Sequence, residues 1–130
     1  MFRISTRLVI LFKNFVVKIP LERKGFLQCR NEKSIWNKYK DLAPLAELRF
    51  AFMGIIIQKR YTEVSFIPIE EVDRVKSIIH EFQFENGDLW NYKNWGVDEQ
   101  GNYILLDYGN SEYVSSLYKR KLKKVNESNH

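Results

Sequence analysis

The sequence predicts an α+β fold: a small antiparallel sheet with one packed helix, a connecting helix and a short hairpin that follows it. Two pairs of apolar runs, each pair split by a short turn, predict four strands. Two stretches with apolar residues at spacings of three and four predict the helices. At 130 residues, with 45% hydrophobic residues and three prolines, the chain has the length and composition of a single folded domain, residues 1–130.

The first two strands are predicted over residues 7–12 and 15–19, with Lys13-Asn14 as the turn between them. Lys18 is a single polar residue in an otherwise apolar strand. Its ammonium must therefore reach water, a carboxylate or a ligand phosphate. Taken alone, such a lysine usually lies on the exposed face of a half-buried strand.

The first helix is predicted over residues 28–39, where four residues follow spacings of three and four: Glu32, Ile35, Trp36 and Tyr39. This spacing places Glu32 beside an apolar stripe. A buried Glu32 facing the preceding strand would have Lys18 as its partner, whereas a solvated Glu32 would pair with its neighbours on the helix. Both interpretations remain open at this point.

Two further strands, residues 45–52 and 54–61, surround Met53-Gly54 and complete the predicted sheet. Ile67-Pro68 then opens the connecting helix, whose first turns are rich in acids, as a helix N-terminus favours. An apolar stripe at roughly helical spacing predicts the buried face of this helix: Ile69, Val72, Val75, Ile78, Ile79 and Phe82.

Residues 88–109 carry the polar side chains with the most chemical potential. Residues 94–97 and 103–106 are predicted strands around a turn at 98–102, so that Asn94 and Asp107 come towards the same end of a hairpin. Amide and carboxylate oxygens are ligands that Mg²⁺ uses when it also holds phosphate. A separate upstream carboxylate, Asp88, could orient a hydroxyl.

This segment resembles the catalytic and metal-binding segments of the protein-kinase-like phosphotransferases, which carry an Asp, a nearby Asn and a D-F-G-type motif. The motif corresponds here to Asp107-Tyr108-Gly109. The resemblance implies that Asp88 is the catalytic Asp, and that Asn94 and Asp107 bind Mg²⁺. It also implies a minimal kinase-like fold with the hairpin beneath a nucleotide cleft.

The earlier part of the chain resembles the same family. Val16-Val17-Lys18 on a strand and Glu32 on the following helix resemble the lysine and glutamate whose ion pair holds the nucleotide phosphates. The resemblance implies that Lys18 binds ATP and that Glu32 orients Lys18. It also places the base against the backbone near residues 59–62.

The chain departs from the family pattern at several positions. Asn94 lies six residues after Asp88 rather than five, Asn86-Gly87 replaces His-Arg, and no glycine precedes Lys18. A one-residue bulge, use of Asn91 instead of Asn94, or loss of the role of Asp88 would each account for the offset. With 21 residues after Gly109, a substrate-binding helical lobe is not expected.

Two functions therefore remain open. One is an ATP- and Mg-dependent phosphotransferase with an unknown acceptor, whose acceptor site a partner or a second copy of the chain would complete. The other is a non-catalytic pseudokinase-like module that acts through a protein partner. The compact layout is typical of a bacterial or phage-encoded protein.

The net charge of +5 is concentrated in residues 13–40 and 119–124, the latter on a predicted terminal helix over 115–124. A solvated basic face is the more frequent explanation of such charge, so nucleic-acid binding is not expected. The three tryptophans are expected to pack the core rather than to stack bases.

The single Cys29 suits a reducing compartment. The apolar run 8–12 is too short to span a membrane. Together these two observations predict a cytoplasmic protein.

Overall fold

The computed structural model describes residues 2–4, 6–80 and 87–109, with side chains for residues 6–80 and 89–109. Five antiparallel strands form the larger sheet in the order β1-β2-β3-β5-β4, where β1 is Phe2–Ile4, β2 is Arg7–Leu11, β3 is Phe15–Pro20, β4 is Leu48–Phe52 and β5 is Ile55–Lys59. Helix α1, Arg23–Tyr39, contacts β3, β4 and β5. The α+β class predicted from the sequence is confirmed.

A smaller sheet stands beside the first. It has three antiparallel strands in the order β6-β7-β8, where β6 is Thr62–Glu63, β7 is Trp95–Val97 and β8 is Tyr103–Leu105. Helix α2, Ile69–Ile78, lies between β6 and β7 in the chain. The predicted hairpin is therefore present as β7 and β8, and its turn is closed by the Asp98 carboxylate, which accepts hydrogen bonds from the backbone N–H groups of Gln100 and Asn102 at 2.9 Å each.

The four long strands follow the predicted pattern, with shorter ends in β2, β4 and β5 and one further residue, Pro20, at the end of β3. In the first hairpin Leu11 pairs with Val16, and the Phe12 N–H donates to the Phe15 carbonyl at 2.9 Å. Strands β1 and β6 were not predicted. They have three and two residues, too few for an alternating pattern to be recognised.

Helix α1 begins at Arg23, five residues before the predicted start. Its first turns include Gly25, a poor helix former that masks the helical pattern. A Cβ at position 25 would lie 2.1 Å from the Thr6 carbonyl oxygen. The glycine is therefore needed because the helix approaches the backbone between β1 and β2.

The main core lies between α1, α2 and the hairpin, and its buried members include Ile35, Tyr39, Val72, Val75, Ile79, Leu89, Trp95, Leu105 and Tyr108. Trp95 is 1% exposed and its indole N–H donates to the Leu89 carbonyl at 2.9 Å, as expected for a core tryptophan. Trp90 instead is exposed.

Helix α2 buries its predicted stripe only in part. Val72, Val75 and Ile79 are fully buried, but Ile69, predicted to be buried, is 54% exposed because it is the first residue of the helix and precedes the turns that contact the core. Phe82 and the predicted helix 115–124 lie outside the described residues. Among the helices that the structure describes, none is long and apolar enough to cross a membrane.

Candidate functional site

Strand β3 and helix α1 bring Lys18 and Glu32 together, fourteen residues apart in the chain. Lys18 shares the buried face of β3 with Val16 and is 4% exposed. Its ammonium contacts the Glu32 carboxylate and donates to the Leu106 carbonyl at 3.1 Å. Glu32 is fully buried, and a buried carboxylate is stable only when it is paired and hydrogen-bonded. Of the two interpretations left open by the sequence, the buried ion pair is the one observed.

Arg7, at the start of β2, supplies a second cation to the same carboxylate. Its Nη1 lies 2.6 Å from Glu32 Oε2 and 3.5 Å from Cys29 Sγ, and its Nη2 lies 3.1 Å from Asp107 Oδ1. The residue is 4% exposed. The site is thus a network of alternating charges in which each carboxylate contacts at least one cation. Its members, in order of contact, are Lys18, Glu32, Arg7 and Asp107.

No role was predicted for Arg7 from the sequence. A signal was present, because Arg7 opens a predicted apolar strand just as Lys18 interrupts one. A single cation in a buried strand needs an anionic partner.

The charges of this network shift the pKa values of its members. Burial opposes the charged form of Arg7, but Glu32 and Asp107 outweigh it and raise the pKa of Arg7 above its already high ordinary value. Burial likewise disfavours the Asp107 carboxylate, yet Arg7, Lys18 and the Gly109 N–H together lower the pKa of Asp107 below its ordinary value. Both groups are therefore ionised at neutral pH.

Asp107 is held in place by the two residues that follow it. Tyr108 is 1% exposed in the core, and its hydroxyl donates to the Ala46 carbonyl at 2.8 Å. Gly109 lies so close to α1 that a Cβ would be 2.3 Å from the Gln28 carbonyl oxygen, and the Asn31 side-chain amide donates to the Gly109 carbonyl at 3.0 Å. The Asp-Tyr-Gly segment is thus fixed between the core and the helix that carries Glu32.

A cleft of about 370 Å³ opens between the five-stranded sheet and the hairpin. Lys18, Asn94 and Asp107 all line it, although they come from three separate parts of the chain. The cleft is rich in positive charge, with five cationic side chains and two carboxylates in its wall; the cations are Arg7, Lys18, Lys59, Arg60 and Lys93. Such a wall favours an anionic ligand.

The two ends of the cleft differ in character. Arg7 and Lys18 are buried at its base, whereas Lys59, which pairs with Glu99 at 3.1 Å, and the exposed Lys93 are more accessible to solvent. Aliphatic side chains of the sheet, Val9, Leu11 and Val16, form an apolar part of the wall. The cleft can therefore accept a ligand with both a charged and an apolar portion.

The structure distinguishes the two candidate amides of the segment that was predicted to be catalytic. Asn94 lines the cleft directly before β7, where its carbonyl accepts from the Leu106 N–H at 2.7 Å. Asn91 is exposed, does not line the cleft, and accepts a hydrogen bond from the Lys93 N–H at 3.0 Å through its side chain. Of the two amides, Asn94 is thus the one that lines the same cleft as Asp107.

Asp88 belongs by its backbone to a 3₁₀ helix, Gly87–Trp90, and a second 3₁₀ helix, Tyr92–Asn94, follows it. These two turns occupy the segment in which the extra residue before Asn94 lies. The Asp88 side chain lies outside the described residues, so its predicted catalytic role stays a prediction.

One of the two predicted magnesium ligands, Asp107, already contacts a cation of the protein, Arg7. The Asp107 carboxylate is 35% exposed, and one of its oxygens is engaged by Arg7. Among the described residues, no group of three or more His, Cys, Asp or Glu side chains is arranged to hold a metal, although Mg²⁺ bound with phosphates needs only one or two carboxylates. Magnesium binding by Asn94 and Asp107 therefore stays a prediction.

Comparisons of the chain with protein-family models, with curated proteins and with solved structures find no match. The geometry and charge of the cleft are therefore the observations that bear on function.

Proposed function

We propose that this chain is a minimal kinase-like domain that binds a nucleoside triphosphate, ATP in the first instance, in the cleft between the sheet and the hairpin. The observation that supports this most strongly is that Lys18, Asn94 and Asp107 line one cleft. Glu32 contacts Lys18 from the helix that follows its strand. These are four of the five residues at which the sequence resembles the kinase-like family, the fifth being Asp88, and the four lie in or directly behind one cleft.

The physical character of the cleft suits this ligand. Its volume of about 370 Å³ lies within the range of ordinary small-molecule pockets. The triphosphate would lie towards Arg7 and Lys18, since these cations are held in place by Glu32 and need no rearrangement to meet it. The base would lie against the aliphatic wall, near the backbone of residues 59–62. The free, buried Cys29 suits the cytoplasmic location expected for such a domain.

Calorimetric titration with ATP tests the proposal, with Lys18→Met and Lys33→Met as matched variants. Lys33 is an exposed lysine of α1 that does not line the cleft. We expect ATP to bind the natural chain and Lys33→Met alike, and Lys18→Met to bind at least about tenfold more weakly, since a hydrogen bond to a charged group contributes about 1.5–3 kcal/mol. Equal affinities for all three proteins, or no binding to any, would reject the cleft as the nucleotide site.

Phosphoryl transfer to an unidentified acceptor is the second candidate function. It is favoured by the convergence of Asn94 with Asp107 on the cleft that Lys18 lines, because oxygens of this kind flank the transferred phosphate in the resembled family. Release of phosphate from ATP, or phosphorylation of the chain itself, should then be measurable in magnesium buffer and lost in Asp88→Asn. ATP binding without any turnover would instead favour a pseudokinase-like module that acts through a protein partner.

A further inference from the structure

The cation that contacts the Asp107 carboxylate is the guanidinium of Arg7. Arg7 Nη2 lies 3.1 Å from Asp107 Oδ1, and the same guanidinium is fixed by Glu32 at 2.6 Å. Arg7 also lines the cleft beside Lys18. We infer that the cleft binds the polyphosphate of its ligand without a divalent metal, because Arg7 supplies the positive charge at Asp107 that a metal would otherwise supply. This inference rests on the proposed nucleotide-binding function and specifies how the phosphates are recognised.

The charges at the base of the cleft explain why such a cation is needed. An unneutralised Asp107 would repel a phosphate group that approached Lys18, because the two lie on the same cleft wall. With Arg7 in place, two cations face two carboxylates: Arg7 and Lys18 against Glu32 and Asp107. The base of the cleft is then neutral without a metal, and the more accessible cations Lys59, Arg60 and Lys93 make the cleft attractive to an anion.

The chemistry of the guanidinium suits a direct contact with phosphate. It is planar and permanently charged; Nη1 donates to Glu32 and Cys29, whereas the contact of Nη2 with Asp107 at 3.1 Å uses one of its two N–H groups and leaves the second to donate to a phosphate oxygen. Arg7 is also held rigidly, since it opens strand β2, is 4% exposed and contacts side chains from α1 and from the segment after β8. A side chain that is already ordered loses little freedom when the ligand binds.

Titrations with ATP and with sodium tripolyphosphate, each in EDTA and in magnesium buffer, test this inference. We expect the natural chain to bind both probes in EDTA, with dissociation constants within about threefold of those in magnesium. Asp107→Asn should retain binding in EDTA, since it removes a negative charge and leaves Glu32 with both of its cations. Arg7→Gln should bind at least about tenfold more weakly in EDTA, because a charged donor to phosphate is lost.

If Asp107 instead binds a metal, Asp107→Asn should have the opposite effect on ATP binding. If the natural chain binds ATP only with magnesium, and Asp107→Asn abolishes that binding, Asp107 is a metal ligand; the inference is then wrong while the proposed function stands. If neither probe binds with or without magnesium, the proposed function fails and the inference fails with it. Far-UV circular dichroism checks the fold of each variant, and Asp107→Asn decides the question alone should Arg7→Gln not fold.

Discussion

Replacing Glu32 by glutamine should destabilise the protein more than any other single change of charge in the described part of the chain. Glu32 is fully buried, and each of its oxygens contacts a cation that is only 4% exposed, Arg7 on one side and Lys18 on the other. Glutamine keeps the shape and removes the charge. Arg7 then retains its contact with Asp107, and Lys18 retains its hydrogen bond to the Leu106 carbonyl.

The expected loss follows from this burial. Removing one partner of a buried ion pair costs about 3–5 kcal/mol, since it leaves an uncompensated charge away from water. For a chain of this length each kcal/mol lowers the melting temperature by roughly 3–5 °C, so we expect a fall on the order of 10–20 °C. Urea denaturation followed by tryptophan fluorescence gives the change in the free energy of unfolding directly.

Glu47→Gln is the matched control. Its side chain is 52% exposed and lies 4.0 Å from Arg49, an arrangement that contributes about 0–1 kcal/mol. A loss for Glu32→Gln no larger than that for Glu47→Gln would show that Arg7 and Lys18 reach water. The base of the cleft would then not be a buried charge network.

Three further predictions concern the segment that carries Asp107. Gly109→Ala should lower the free energy of unfolding by about 1–3 kcal/mol, because its Cβ would lie 2.3 Å from the Gln28 carbonyl oxygen; an unchanged urea midpoint would contradict that close approach. Tyr108→Phe should cost about 1 kcal/mol, since it leaves the Ala46 carbonyl without the hydroxyl that donates to it at 2.8 Å, and a variant as stable as the natural chain would show that bond to be without effect. The lowered pKa of Asp107 stabilises the folded state above the ordinary carboxyl pKa of about 4, and that stabilisation is lost as the pH falls through the lower folded value. Natural and Asp107→Asn proteins should therefore differ in stability at pH 7 and converge in acid, whereas a difference independent of pH would exclude the carboxylate as its source.

The pairing of Lys18 with Glu32 was one of two interpretations that the sequence left open, because a lone polar residue in an apolar strand and a glutamate beside an apolar helix stripe need a partner if they are buried. The convergence of Asn94 with Asp107 followed from the antiparallel pairing predicted for the two hairpin strands, because the short turn between them brings their outer ends together. In both cases the information lies within a few residues of the element concerned.

The remaining features depend on tertiary contacts that no local pattern contains. Arg7 and Asp107 are 100 positions apart in the chain, so their contact could not be predicted from the residues near either of them. The early start of α1 depends on the approach of Gly25 to the Thr6 backbone. Ile69 was predicted to be buried because it belongs to the apolar stripe of α2, but the core does not extend to this first residue of the helix.

A titration of the isotopically labelled protein with ATP, followed by its backbone amide NMR signals, tests whether ATP binds in the cleft between the sheet and the hairpin. If it does, we expect the shifted signals to concentrate on the cleft wall, at Lys18, Asn94 and Asp107, while those in the middle of helix α2 stay in place. Shifts confined to other surfaces, or none at saturating ATP, would contradict it.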